Sequence, residues 1–77
     1  MDTKMVDVTM HLDEALTPTA RESLRDQLLA HAGVMAVDVH DDKPHLLMIE
    51  YDPDKTNSSD FLTLASGLGI HAELISR

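Results

Sequence analysis

The residues with chemistry to offer are five histidines, fourteen acidic side chains and five methionines, and none of the 77 residues is cysteine. The lack of thiols excludes disulfides, thiolate metal sites, iron–sulfur clusters and cysteine nucleophiles. The histidines are His11, His31, His40, His45 and His71. If the segments bearing His11 and His71 are antiparallel neighbours in a sheet, the two imidazoles come close, and Asp13 or Glu14 adds an oxygen ligand. Two imidazoles and a carboxylate suit Zn(II), Ni(II) or Cu(II). The plain alternative is a pair of exposed strand histidines. His40 and His45 flank the turn Asp41-Asp42-Lys43-Pro44, where a solvated hairpin explains them better than a pinched metal ion.

Thioethers take Cu(I) only when they cluster. Met10 faces the core by parity, whereas Met5 and Met48 face outward, which fits core filling or an adaptable contact surface. Asp41-Asp42 and Asp52-x-Asp54 lack the oxygen spacing of an EF-hand and read as turn residues. No residue is assigned a catalytic role. Thr17, Ser23, Ser58, Ser59 and Ser66 have no base-and-orienter arrangement, and there is no glycine-rich phosphate loop.

The elements that carry these side chains follow from periodicity. Met5 to Leu12 alternates, with Val6, Val8, Met10 and Leu12 inward, and is a strand. Thr17-Pro18 starts a helix: the threonine caps and proline suits the first helical position. Thr19 with Glu22 is an alternative capping box. The helix runs from Pro18 to Ala32, with Ala20, Leu24, Leu28 and Ala32 on one face and Leu29 beside it. Gly33 sits where helical period gives way to alternation and reads as the left-handed residue closing the helix. Val34 to His40 and His45 to Tyr51 are strands two and three of a hairpin. Asn57 caps a second helix, Asp60 reaches back from its third position, and Phe61, Leu64, Ala65 and Leu68 form its buried stripe. Gly69 ends that helix, and Ile70 to Ile75 is the fourth strand.

The order βαββαβ gives an α+β fold, a ferredoxin-like sandwich. Two helices cover one face of a four-stranded antiparallel sheet and leave the other in water. The expected spatial order is four-one-three-two. The open face then carries Met5, Asp7, Thr9, His11, Leu46, Met48, Glu50, Glu73 and Ile75. Its mix of apolar side chains and acids suits a protein-binding or dimer surface, with Met5, Asp7, Met48, Glu50, Glu73 and Ile75 as its key residues, and equally a plain solvated sheet face. Edge strands offer a second route to pairing.

Composition bounds the rest. The chain is short enough to be one domain, spanning residues 1–77, with a thin core. Six Lys and Arg against fourteen Asp and Glu give a net charge of −8. Such a surface repels a phosphate backbone and an anionic membrane, so neither nucleic acid nor membrane is expected as a partner. Cations and basic proteins are favoured. There is no signal-peptide pattern and no run of membrane-spanning length, so a cytoplasmic location is the default.

The sequence resembles the heavy-metal-associated domain family, the small copper-chaperone-like and metal-ATPase domains. The matching residues are Leu28-Leu29, Gly33-Val34 with Val37-Asp38-Val39, Ile49-Glu50-Tyr51-Asp52-Pro53, and Leu68-Gly69-Ile70-His71-Ala72. The resemblance implies the same sandwich and, for the family, carriage of soft metal ions such as Cu(I) through a C-x-x-C pair between the first strand and first helix. Those positions fall at about Thr17 and Ala20 here, so no family metal residue transfers. Without thiolates the soft-metal activity does not carry over.

Two functions follow as expectations. The first is a small non-enzymatic module without a resident cofactor, acting by contact with a protein partner or a second copy of itself. The alternative is a metal-binding or trafficking protein that uses His11, His71, Asp13 and Glu14, or methionine, in place of cysteines.

Overall fold

A computed structural model describes residues 5–40 and 42–75 of the chain. Met1, and Asp41 of the expected turn, lie outside the described residues. The elements are β1 Val6–Leu12, α1 Pro18–Ala30, β2 Val34–Val39, β3 Leu46–Tyr51, α2 Ser59–Gly67 and β4 Ala72–Ile75. The strands form one antiparallel sheet in the order β2-β3-β1-β4, the expected topology.

Alternation in the strands and helical spacing in α1 and α2 aim one set of side chains at a shared core. Val8, Met10 and Leu12 of β1, Val37 of β2 and Leu47 and Ile49 of β3 meet Leu24 and Leu28 of α1 and Phe61 and Ala65 of α2, with Ile70 closing one end. Phe61 is the bulkiest fully buried side chain, and Tyr51 meets it edge-on with ring centroids 5.0 Å apart. Val6 shares the inward parity of β1 but is exposed, because it pairs with Tyr51 at the end of the sheet. Leu29, Ala32 and Leu68 are likewise exposed, and Ala20 and Leu64 are half-buried, so each helix buries a narrower stripe than its spacing suggests.

Helix ends refine the expected boundaries. Thr17 is the N-cap of α1: its Oγ1 accepts from Ala20 N at 3.2 Å, and Pro18 follows at the first helical position. The first helix ends at Ala30, because His31 is already extended (φ −77°, ψ 130°). Gly33 is therefore not the helix terminus. It sits in the following turn at φ +95°, where its carbonyl accepts from Asp52 N at 2.8 Å. Gly69, at φ +78°, does end α2. Its N–H donates to Ser66 O at 2.9 Å and the Ile70 N–H to Ala65 O at 3.0 Å, the paired bonds of a Schellman motif, with Ile70 and Ala65 both buried. That bond holds Ile70 to the helix, and β4 begins only at Ala72.

The expected Asn57–Asp60 cap of α2 does not form. Ser58 is the N-cap and makes no side-chain cap bond, and Asn57 Oδ1 accepts from Ser59 Oγ. The Asp60 carboxylate turns instead to buried Thr56, whose hydroxyl donates to Oδ2 at 2.9 Å.

Candidate functional site

Strand pairing maps the open face residue by residue, because alternate side chains point away from the helices. Across the sheet the outward positions fall into rows. Ala36, Glu50 and Asp7 make the first; Asp38, Met48, Thr9 and Ile75 the second; Leu46, His11 and Glu73 the third. Met48 and Ile75 flank Thr9 and are each 44% exposed, in the middle of the uncovered surface. Four carboxylates surround them. Asp7 stands directly opposite Glu50, a destabilising placement for like charges. No strand carries Lys or Arg to offset them. Lys43 lies off the strands, in a shallow dent at the hairpin end lined also by Thr9, Asp38, His40, Leu46 and Met48. Of the surface residues expected from alternation, Asp7, Met48, Glu50, Glu73 and Ile75 share this face, while half-buried Met5 lies just before β1.

The second candidate region is the end of the sandwich where β1 runs into α1. Antiparallel pairing brings the end of β1, the end of β2 and the starts of β3 and β4 together there, and with them His11, His40, His45 and His71. The expected metal set of His11, His71, Asp13 and Glu14 is nevertheless not gathered. Among the described residues no three or more His, Asp or Glu side chains come together to hold a metal ion. Asp13 N donates to His71 O at 3.0 Å, which puts His71 opposite Asp13, whereas His11 is opposite Glu73. The His11 ring stacks on His45 instead, with centroids 6.2 Å apart and planes 18° from parallel. His45 Nδ1 lies 3.4 Å from the Leu12 carbonyl, and Leu12 N donates to His45 O at 2.7 Å. Periodicity places His45 at the start of a strand but gives no hint of this stack. It depends on the cross-strand neighbour.

At the positions between β1 and α1, Thr17 and Ala20 are occupied with starting the helix. Thr17 Oγ1 spends its lone pair on the Ala20 N–H, and a methyl group is all that Ala20 presents. Neither offers a soft donor.

A third cluster lies at the opposite end and was not legible from spacing. His31 Nε2 is 2.8 Å from Thr56 Oγ1 and 3.4 Å from Asp60 Oδ2. The single proton of the Thr56 hydroxyl goes to Asp60, so Thr56 accepts from His31 and Nε2 carries the hydrogen. This is the reverse of an activated nucleophile, in which imidazole accepts the hydroxyl proton. The cluster ties the end of α1 to the start of α2. His31 also meets Phe61 edge-on, and the Thr56 methyl packs under Gly33.

Comparison with solved structures finds the same architecture in several proteins. Oxidized MerP from Ralstonia metallidurans CH34 superposes with a TM-score of 0.83 at 15% identity, covering 95% of this chain and 100% of that one. The N-terminal domain of a potential copper-translocating P-type ATPase from Bacillus subtilis, in its Cu(I)-loaded state, gives 0.82 at 17% identity, covering 92% and 88%. The yeast copper transporter domain Ccc2a gives 0.80 at 16%, covering 91% and 94%. No family model matches the chain, and no curated protein matches it. The likeness is one of fold: the heavy-metal-associated sandwich, here without a cysteine. No helix among the described residues is long and apolar enough to cross a membrane.

Proposed function

We propose that the chain is a non-enzymatic binding module that works by protein–protein contact through the open face of its sheet, without a resident cofactor. The observation that carries this reading is the central row, where Met48 and Ile75 stand exposed on either side of Thr9 with no covering element among the described residues. Exposed apolar groups rimmed by polar ones mark interaction surfaces. The edges of the sheet are poorer docking sites. A register irregularity between Val34 and Ala36 interrupts the outer strand β2, and β4 offers only four residues. Irregular and short edges discourage strand addition. A photo-crosslinking residue at position 48 is expected to trap a partner that the same residue at exposed Ser23 on α1 does not. Equal trapping from both positions, or none from 48, refutes the reading.

A second reading has its own observation: four of the five histidines gather at one end of the sandwich. In it the module handles Ni(II), Zn(II) or Cu(II) through imidazole and carboxylate, with His11, His71, Asp13 and Glu14 rearranging around the ion. Titration of each metal, followed by imidazole NMR shifts, tests it. Joint movement of the His11 and His71 signals supports it, and movement of neither removes it.

A further inference from the structure

The face that the proposed function uses also has a charge pattern, and that pattern restricts what can dock. The apolar group Leu46, Met48 and Ile75 is bounded by Asp38 on the β2 side, by the opposed pair Asp7 and Glu50 along the strands, and by Glu73 on β4. The four strands supply no Lys or Arg, so Asp7, Glu50 and Glu73 have no cation opposite them in the sheet, and Lys43 shares a dent only with Asp38. Resting on the protein-contact reading, we infer that the partner is a basic protein surface, an apolar knob ringed by Lys or Arg, and not a second copy of this chain.

The case against self-association is one of symmetry. A two-fold dimer through this face sets the same patch against itself. Asp7, Asp38, Glu50 and Glu73 of one copy would face the same four groups of the other, with a net charge of −8 on each chain. Like charges brought together in a contact are strongly unfavourable. A cationic ring removes that opposition and also neutralises the Asp7–Glu50 pair, which the isolated chain leaves face to face. The apolar centre then supplies the contact area and the charges supply selection and approach rate.

The test uses the full isotope-labelled chain and a stabilised β-hairpin peptide bearing a central pair of Leu framed by Lys, with a Gln-for-Lys version beside it. The Lys hairpin is expected to move the amide signals of Asp7, Thr9, Met48, Glu50 and Ile75. Its affinity is expected to fall about tenfold between roughly 50 and 300 mM salt. The variant Asp7→Asn/Glu50→Gln is expected to weaken it by a similar factor, while Glu22→Gln/Asp26→Asn, which alters exposed acids on α1, leaves it unchanged. If the Gln hairpin binds the face as well as the Lys hairpin, or if salt has no effect, the basic partner is wrong and the docking face stands. If the Lys hairpin moves signals only around Asp13–Glu14 or on the helices, the inference is overturned as attraction to net charge alone. If neither hairpin touches the face, both this inference and the contact reading fall. Dimerisation through the face in sedimentation at millimolar concentration also overturns it. Met48→Ser and Ile75→Ser, each checked for a native spectrum, should both abolish face binding.

Discussion

Gly33 and Gly69 separate two contributions that are normally measured together. Both have left-handed backbones, at φ +95° and +78°. A Cβ at Gly69 meets nothing within 4 Å, whereas one at Gly33 falls 2.9 Å from Thr56 Cγ2 and 3.0 Å from Lys55 Cβ. Gly69→Ala therefore introduces left-handed strain of about 1–2 kcal/mol. This is offset in part by about 0.4–1 kcal/mol from a stiffer unfolded chain, so a net loss of about 1 kcal/mol is expected. Gly33→Ala adds the steric contact, for which overpacking of about 1–3 kcal/mol is the guide, giving a total loss of about 2–4 kcal/mol. Gly67→Ala lies inside α2, where the added Cβ also meets nothing within 4 Å, and should stabilise by about 0.5–1 kcal/mol. Urea denaturation of the three variants with a common slope measures all of this. The clash can be isolated further. Thr56→Ser removes the Cγ2 atom, so in a double-mutant cycle it should restore about 1 kcal/mol to Gly33→Ala. Restoration is partial because Lys55 Cβ remains. If Gly33→Ala and Gly69→Ala lose the same stability and the cycle shows no coupling, the close approach of Gly33 to Thr56 is not a constraint on the fold.

Thr56→Val keeps the packing under Gly33 but removes the hydroxyl between His31 and Asp60, and should lower stability by about 1–3 kcal/mol in the same assay; an unchanged midpoint would show that the bond contributes nothing. Asp7→Asn relieves the opposition to Glu50 and should raise stability by about 0.5 kcal/mol at low salt, with the gain fading as salt rises; a loss would contradict the cross-strand placement. Thr17→Cys/Ala20→Cys should confer stoichiometric Cu(I) binding on a chain that otherwise has no thiolate, seen by competition with a chromogenic chelator. It forfeits the Thr17 cap, at about 1 kcal/mol, so its fold is checked by circular dichroism. A folded variant that takes no Cu(I) would mean that the two positions do not face a common point.

Most of the architecture could be read from one dimension because each element satisfies its own local rule. Alternation in Val8-Thr9-Met10-His11-Leu12, the Thr17-Pro18 start and the Gly69 stop each act within a few residues. The errors arose where a distant residue decides. Asn57 has the right type and spacing to cap α2, but Asp60 is claimed by Thr56, whose hydroxyl also meets His31 from the end of α1. The terminus of α1 moved for the same reason, since Gly33 answers to Asp52 rather than to the helix. The candidate surface followed from parity, which register then ordered into rows. The histidine pairing did not, because which imidazole neighbours His11 depends on the strand opposite. His45, just before β3, stacks with it, and His71, just before β4, sits beside Asp13.

The Gly33, Thr56, His31 and Asp60 junction sits at the pole of the molecule away from the segment joining β1 to α1. Anchorage is thus concentrated at one pole. The junction ties both β–α–β halves together where the chain turns back, while residues 13–16 are fastened mainly by Asp13 N to His71 O and by half-buried Leu16 packed on the core. A connecting segment held this lightly can be lengthened or rewritten with little loss of stability, since doubling a loop adds only about 0.6 kcal/mol of closure entropy. Such a scaffold lets the segment at that pole be rewritten without renegotiating its core.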